Sequence, residues 1–238
     1  MTISIVIPAH NEEKYIADCL QSIFRWKTAN VIEIIVVDNA STDATVTIAK
    51  RFPGVHVVHE YRKGTGFARN AGFRHATGDL VAFLDADSRI VSRQWFALAE
   101  ETFRTSAQTV CLTGPLIFYD LPVWQQYSVY YWWMMLAIPS YALTGRMVVG
   151  GNFVARRAVL ESIGGIDTSI AFYGDDTNIA RRLAQVGTVK MRTDFLTHSS
   201  ARRLKGQGFW KTGSLYAMNY LSELCLHTPV TRTYANFR

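Results

Sequence analysis

The 238-residue chain reads as an α/β fold built on a mostly parallel sheet flanked by helices. Three observations predict it: apolar runs of strand length recur from the first residues onward, stretches of helical period separate them, and polar clusters stand where the apolar runs end. Ile3 to Ile7 is the first strand. Ile16, Leu20, Ile23 and Phe24 then recur at helical spacing after the start signal Asn11-Glu12-Glu13. Val31 to Val37 is a second strand broken only by Glu33. The run Asp38-Asn39-Ala40-Ser41-Thr42-Asp43 follows it, where Ser41 or Thr42 caps a helix toward Phe52. Val55 to Val58 is a third strand, Phe67 to His75 a helix, Leu80 to Leu84 a fourth strand and Trp95 to Phe103 a further helix. Ligands of open α/β sheets bind at the carboxyl ends of the strands, so His10-Asn11, Asp38 and Asp85 to Asp87 are expected to line one crevice.

The run Leu80-Val81-Ala82-Phe83-Leu84-Asp85-Ala86-Asp87 delivers two carboxylates, one residue apart, to the exposed end of a strand. Side chains two apart on an extended chain share a side. Two such carboxylates repel unless a cation sits with them, and a hard divalent ion carrying phosphate oxygens is the usual answer. The formal charge of +6 and pI near 9.3 likewise call for an anionic partner, without choosing among nucleic acid, lipid head group and phosphorylated substrate. Cys19, Cys111 and Cys225 are odd in number and far apart, which suggests neither a disulfide framework nor a zinc site and suits a reducing compartment. Met1 to Pro8 lacks the basic start and long apolar stretch of a signal peptide, and a cytoplasmic setting is expected.

Gly64-Thr65-Gly66-Phe67-Ala68-Arg69 begins like a dinucleotide fingerprint but carries Arg69 at the third glycine position and follows the third strand rather than the first. Its glycines instead offer a tight turn from which Lys63 and Arg69 reach a phosphate or a base. A second acidic pair, Asp175-Asp176, opens a helix whose far side carries Arg181 and Arg182. Acidic residues complement the dipole of a helix's first turn.

Taken in order, the motifs Ile5-Val6-Ile7-Pro8-Ala9-His10-Asn11-Glu12-Glu13, Val36-Val37-Asp38-Asn39-Ala40-Ser41-Thr42-Asp43, Lys63-Gly64 through Ala68-Arg69-Asn70-Ala71-Gly72, Leu84-Asp85-Ala86-Asp87, Gly150-Gly151-Asn152-Phe153, Gly164-Gly165-Ile166-Asp167 and Gly174-Asp175-Asp176 resemble those of a family 2 glycosyltransferase of the inverting GT-A type. The resemblance runs from residue 3 to about residue 200. It implies a GT-A, Rossmann-like nucleotide-diphospho-sugar transferase fold, a UDP-, GDP- or TDP-sugar donor, Mn²⁺ or Mg²⁺, and transfer to an acceptor hydroxyl with inversion. By the same resemblance Pro8 and Ala9 shape the backbone around the nucleobase, Glu12 adds a contact to the nucleotide, and Asp38 accepts a hydrogen bond from the base. Asp85 stands near the ribose or donor sugar and Asp87 holds the metal. His198 matches a histidine that completes the metal or pyrophosphate site in some relatives, with a packing histidine as the plain alternative. Inversion needs a base opposite the leaving diphosphate; Asp176 takes that position by order and Asp175 the acidic position before it. The family usually carries Glu-Asp there, and the Asp-Asp of this chain leaves their division of labour open.

Leu121 to Gly145 is uncharged and rich in aromatic residues: Trp124, Tyr127, Tyr130, Tyr131, Trp132 and Trp133, with Met134, Met135 and Leu136 beyond. Gln125, Gln126, Ser128, Pro139 and Ser140 interrupt it, so a membrane span is not expected. A helix lying in the membrane interface or a hydrophobic groove for a sugar or lipid-linked acceptor fits it, with peripheral contact on the cytoplasmic face of the membrane; plain core and a dimer contact stay open. A nucleic-acid partner is not expected. The division expected is a transferase domain over 1–205, with a nucleotide-binding half to about 115 and an acceptor-side half beyond, and a helical extension over 206–238. The rival readings are a sugar-nucleotide pyrophosphorylase, which wants a glycine-rich phosphate loop that Pro8-Ala9-His10-Asn11-Glu12 does not provide, and a noncatalytic sugar- or nucleotide-binding module.

Overall fold

A computed structural model describes residues 1–170 and 174–226. The far end of the expected C-terminal extension, residues 227–238, lies outside the described residues, as does His227.

Alternation along the first strands sets the layers. In β1 (Ile3–Ala9), Ile3, Ile5 and Ile7 point to one side of the sheet and Val6 to the other. β2 (Val31–Asp38) splits in the same way, Ile34 and Val36 against Ile35 and Val37, and so does the fully buried β4 (Leu80–Leu84), Leu80, Ala82 and Leu84 against Val81 and Phe83. The first face is covered by α1 (Ile16–Trp26), through Ile16, Cys19, Leu20 and Ile23, and by α4 (Gln94–Thr105), through Trp95, Phe96, Ala99 and Phe103. The second face takes α3 (Thr65–His75), α7 (Arg157–Ser162) and α8 (Asp175–Ala184), the last through Ile179, Ala180 and Leu183. α3 lies close on the sheet because Gly72 has no side chain: a Cβ there would collide with Val6 and stand 2.9 Å from Val37.

With β3 (Val55–His59), β5 (Thr109–Thr113), β7 (Asn152–Arg156) and β8 (Thr188–Met191), the seven strands run in the order β3-β2-β1-β4-β7-β5-β8. β7 is antiparallel to both its neighbours, and the other pairings are parallel. The chain winds outward from β1 through β2 to β3 and restarts on the other side of β1 with β4, which puts the topological switch point between β1 and β4. Their pairing ends at Val6 with Phe83, two residues short of Pro8. Pro8 therefore withholds no hydrogen bond from β4, and the carboxyl ends of the two strands part to open a crevice. A small parallel sheet of β6 (Leu116–Phe118) and β9 (Thr197–Ser199) closes over its rim.

Several element bounds differ from the sequence reading. The expected cap at Ser41 or Thr42 does not form: Ser41 Oγ accepts the Asn11 amide, and Asp43 Oδ1 takes the Thr45 amide at the start of a short α2 (Thr45–Ala49). α3 begins at Thr65, two residues before Phe67, because Gly64 at φ +147° turns the chain directly into it. The aromatic stretch is helical: α5 (Val123–Trp132), a π-turn at Trp133–Ala137 and α6 (Ile138–Thr144). The widened turn precedes Pro139, which brings no amide to the helical ladder. α9 (Arg202–Gln207) and α10 (Phe209–Leu226) follow, with Leu204 packed among Leu121, Phe118 and Val129.

Candidate active site

Two non-glycine residues with positive φ mark the crevice, Asn11 at 54° after β1 and Ala40 at 59° after β2. Such conformations cost about 1 kcal/mol and persist only where neighbours fix them. Here the two bends lock together: Asn11 Oδ1 accepts the Thr42 amide at 2.8 Å while the Asn11 amide donates to Ser41 Oγ at 3.0 Å. Asp38, buried at the end of β2, accepts the Ser41 amide on Oδ1 and pairs with His59 Nδ1 through Oδ2, each at 3.0 Å. Asn39 ties down the loop that carries Lys63. Its Nδ2 donates to the Glu60 and Arg62 carbonyls, and its Oδ1 accepts the Gly64 amide. Lys63 itself is exposed, while Pro8 and Ala9 sit at the end of β1 beside Val37 and Asp38. A cavity of ≈ 560 Å³ along Glu33, Val57 and His75 opens at the β3 edge and meets this site only through His59.

Across the switch point, four carboxylates are held by two guanidiniums, that of Arg69 buried and that of Arg202 half-buried. Arg69, on α3, reaches Asp85 at 3.0 Å with one nitrogen and Asp175 with the other. It therefore joins the end of β4 to the start of α8, with Asp175 106 residues along the chain from Arg69, and is turned inward to these carboxylates instead of reaching out from the glycine turn to a phosphate or a base. Gly150 and Gly151 make room for this arrangement: a Cβ on Gly150 would stand 2.9 Å from Arg69 Nη2, and one on Gly151 2.5 Å from Asp85 Oδ2. Their position is set by Asn152, whose side chain accepts from Trp95 Nε1 and donates to the carbonyls of Gly114 and Phe195. The second guanidinium is Arg202. It grips both oxygens of the buried Glu12 at 2.7 Å, lies 3.1 Å from Asp87 Oδ2 and covers the Tyr15 ring at 4.8 Å.

Burial pushes the Asp87 carboxyl up to about 7, against the pull of Arg202. Its Oδ1 accepts Ser199 Oγ at 3.2 Å. Burial, with the charge of Asp175 adding to it, likewise pushes Asp176 up to about 6, opposed by Arg69. Asp176 Oδ1 accepts the Thr177 amide at 2.8 Å. His198 lies on β9, where its backbone exchanges hydrogen bonds with Arg89 at 2.6 and 3.0 Å, and burial followed by the Arg89 charge lowers its imidazole pKa. A neutral ring keeps a lone pair for a metal. Among the described residues, no three His, Cys, Asp or Glu side chains gather closely enough to hold an ion by themselves. One or two carboxylates supplemented by substrate phosphates is, however, the usual magnesium and manganese arrangement, and the buried, undercompensated Asp87 carboxylate fits it.

The folded core and this crevice define a GT-A nucleotide-sugar transferase architecture. Structural comparison agrees: a Pyrobaculum calidifontis mannosyltransferase solved with GDP-Man and Mn²⁺ superposes with a TM-score of 0.68 at 22% identity, covering 89% of this chain and 63% of that one. Glucosyl-3-phosphoglycerate synthase of Mycobacterium tuberculosis, solved with Mn²⁺, UDP and glucosyl-3-phosphoglycerate, gives 0.66 at 20% identity over 94% of this chain and 78% of its own. The sequence profile of glycosyl transferase family 2 matches residues 4–164, and the chain belongs to that family. Among its relatives, the uncharacterized glycosyltransferase EpsJ of Bacillus subtilis is 35% identical over 103 residues, 42% of this chain and 30% of EpsJ. The poly(ribitol-phosphate) beta-N-acetylglucosaminyltransferase TarS of Staphylococcus aureus strain Mu50 is 32% identical over 96 residues, 38% of this chain and 17% of TarS. The matched stretches thus span well under half the length of these relatives.

Proposed function

We propose that the chain transfers a sugar from a nucleoside-diphosphate donor to an acceptor hydroxyl with inversion at the anomeric carbon, assisted by Mn²⁺ or Mg²⁺. One observation carries the reading: the strand-end carboxylates Asp85 and Asp87 and the helix-start carboxylates Asp175 and Asp176 share one crevice at the switch point, joined through Arg69. Asp38 and the loop held by Asn39 offer the nucleobase its place beside β2, and Lys63 its charge. Asp87 and His198 would hold the metal, which supplies charge neutralisation for the departing diphosphate. Asp176 is the base. Asp175 is engaged by Arg69, whereas Asp176 combines a raised pKa with no direct cation pair among the described residues, the condition for accepting an acceptor proton near neutral pH. The neighbours' donors are GDP-Man in one case and UDP-Glc or UDP-GlcNAc in others. A thermal-shift screen of UDP-, GDP- and TDP-sugars with and without Mn²⁺ tests the reading; no stabilisation by any donor in Mn²⁺ refutes it.

We assign the acceptor side to the aromatic helices. No residue of α5 or α6 is buried, and Trp124, Tyr127, Tyr130, Tyr131, Met135 and Leu136 are exposed. α5 packs through Val129 against Leu204 of α9, which carries Arg203 and Lys205. Apolar rings beside fixed cations suit an anionic lipid surface presenting a lipid-linked acceptor. No described helix is long and apolar enough to cross a membrane. The division proposed at residue 205 falls inside α9, three residues before the turn at Gly208 that leads into α10.

A further inference from the structure

We propose that Arg69 is a positioning residue that links the two halves of the crevice: because it grips Asp85 and Asp175 at once, what Asp85 binds alters how Asp176 serves as a base. This rests on the assignment of Asp176 as the base. The guanidinium is buried, with Nη2 3.0 Å from Asp85 Oδ1 and Nη1 on Asp175 Oδ2. Its buried Nε meets no acceptor among the described residues, so the polar contacts of the guanidinium are these two carboxylates. It lies against the bare backbone of Gly150, where a Cβ would stand 2.9 Å from Nη2 and 3.1 Å from Nη1. The two ends differ in access. The Asp85 side chain is 38% exposed, whereas that of Asp175 is 10% exposed. A ligand in the crevice can therefore reach the first carboxylate and leave the second to Arg69.

The charges that act on Asp176 come from Asp175, beside it at the start of α8, and from Arg69 on α3. Asp85 stands beyond Arg69, at the end of β4. One cation thus serves three carboxylates. A like charge nearby raises the proton affinity of a carboxyl group and an opposite charge lowers it. While Asp85 is bare, it draws on the guanidinium and leaves Asp175 incompletely neutralised, and Asp176 feels the remainder. Sugar or ribose hydroxyls that donate to Asp85 take over part of that demand. Arg69 then settles on Asp175, the repulsion on Asp176 falls, and Asp176 is ionised over a wider pH range. An arginine suits this linkage, because its planar fork holds two carboxylates at once where a lysine offers a single point charge.

Asp85→Asn imitates the occupied carboxylate without any ligand, since it keeps the oxygen and loses the charge. Carboxyl-carbon NMR of the aspartate-labelled full chain, with the Asp176 signal assigned by its loss in Asp176→Asn, reads the titration midpoint of Asp176 directly. The midpoint is expected to fall by about 1 unit in Asp85→Asn, a tenfold loss of proton affinity, and to rise by about as much in Arg69→Met. In the Arg69→Met background, Asp85→Asn should leave it unmoved. Arg69→Met strands the buried Asp175 without its cation. The double variant Arg69→Met/Asp175→Asn removes carboxylate and partner together and repeats the comparison where the single variant fails to fold; there too the midpoint should ignore Asp85→Asn. Residual transfer by Arg69→Met should lose its acidic limb at correspondingly higher pH, a change that a merely structural role would not produce. An equal fall on Asp85→Asn with and without Arg69 would mean that Asp85 acts on Asp176 directly, and an unmoved midpoint in folded Arg69→Met would remove Arg69 from control of the base; either result overturns the proposal. A wild-type chain that consumes no nucleotide-sugar would instead strike the assignment of Asp176 as the base, while the titration still decides whether Arg69 links the carboxylates.

Discussion

Replacing Asp176 by asparagine should stabilise the protein while disabling it. The carboxyl is moved from 3.8 to about 6, chiefly by burial. A group whose folded pKa is raised holds its proton in the native state over a range where the unfolded chain has released it. Stability therefore falls as pH rises from about 4 to about 6, and the full penalty is present above about pH 7. Two pKa units correspond to about 3 kcal/mol, and relaxation of the partly exposed side chain reduces the realisable part to roughly 1–3 kcal/mol, or roughly 3–8 °C in Tm for a domain of this size. Asparagine preserves the oxygen that accepts the Thr177 amide and never ionises. The Tm difference between Asp176→Asn and wild type should thus be near zero at pH 4 and grow to its maximum by pH 7.5. Transfer by the variant should fall by about 10²- to 10⁴-fold, the usual share of a general base, with donor affinity nearly retained. Scanning calorimetry across pH, paired with donor titration and product release, reads all three. A Tm gain independent of pH, or a variant that turns over normally, would refute the reasoning; loss of transfer in Asp175→Asn but not in Asp176→Asn would exchange their roles.

Asp87→Ala should abolish the Mn²⁺-dependent part of nucleoside-diphosphate binding, and an unchanged Mn²⁺ requirement in equilibrium dialysis would place the metal elsewhere. Gly151→Ala drives a Cβ to 2.5 Å from Asp85 Oδ2, so that carboxylate must leave Arg69. A destabilisation of roughly 1–3 kcal/mol in urea unfolding, together with weakened donor binding, is expected, and a variant indistinguishable from wild type would mean the Asp85–Arg69 contact is dispensable. Liposome flotation should increase with anionic lipid and drop when Trp124, Met135 and Leu136, exposed by 62%, 69% and 59%, are together changed to serine; their exposure limits the cost to stability to about 0.5 kcal/mol each. Absence of flotation alongside efficient use of water-soluble acceptors would reassign that face to a protein contact. Trp132 and Trp133, prominent in the sequence, are half-buried and paired edge-to-face at 5.2 Å, which makes them poor choices for that test.

The first four strands were legible because each is a short apolar run whose alternate residues meet different helical layers, and period is a local property. The direction of β7 was not. Gly150-Gly151-Asn152-Phe153 signals close packing, but whether the strand beyond it runs with or against β4 depends on where the chain has travelled since residue 87. The stretch from Leu121 to Gly145 showed its aromatic character and its breaks at Pro139, yet nothing in it distinguished a groove from an exposed helical face. That distinction rests on what packs against it: Leu121 and Val129 meet Leu204 of α9, and Tyr141 Oη donates to the Val189 carbonyl at 2.9 Å.

Carboxylates were easier to find than the cations that organise them. Asp85, Asp87, Asp175 and Asp176 occur as close pairs, and pairing of like charges over one or two residues is visible in a sequence. Their counter-charges come from far away: Arg69 lies 16 residues from Asp85 and 106 from Asp175, and Arg202 lies 190 from Glu12. No local pattern ties either arginine to these carboxylates: Arg69 stands beside a glycine turn and Arg202 in a run with Arg203 and Lys205. The structural signal is the company they keep, small residues such as Gly150 and Gly151 where a Cβ would strike the guanidinium or its carboxylate. This also sets apart the two members within each acidic pair. Arg69 engages one member of each pair, Asp85 and Asp175, and leaves Asp87 and Asp176 as the carboxylates with raised pKa values. Those two are the groups proposed to exchange partners during the reaction, one with a cation and one with a proton.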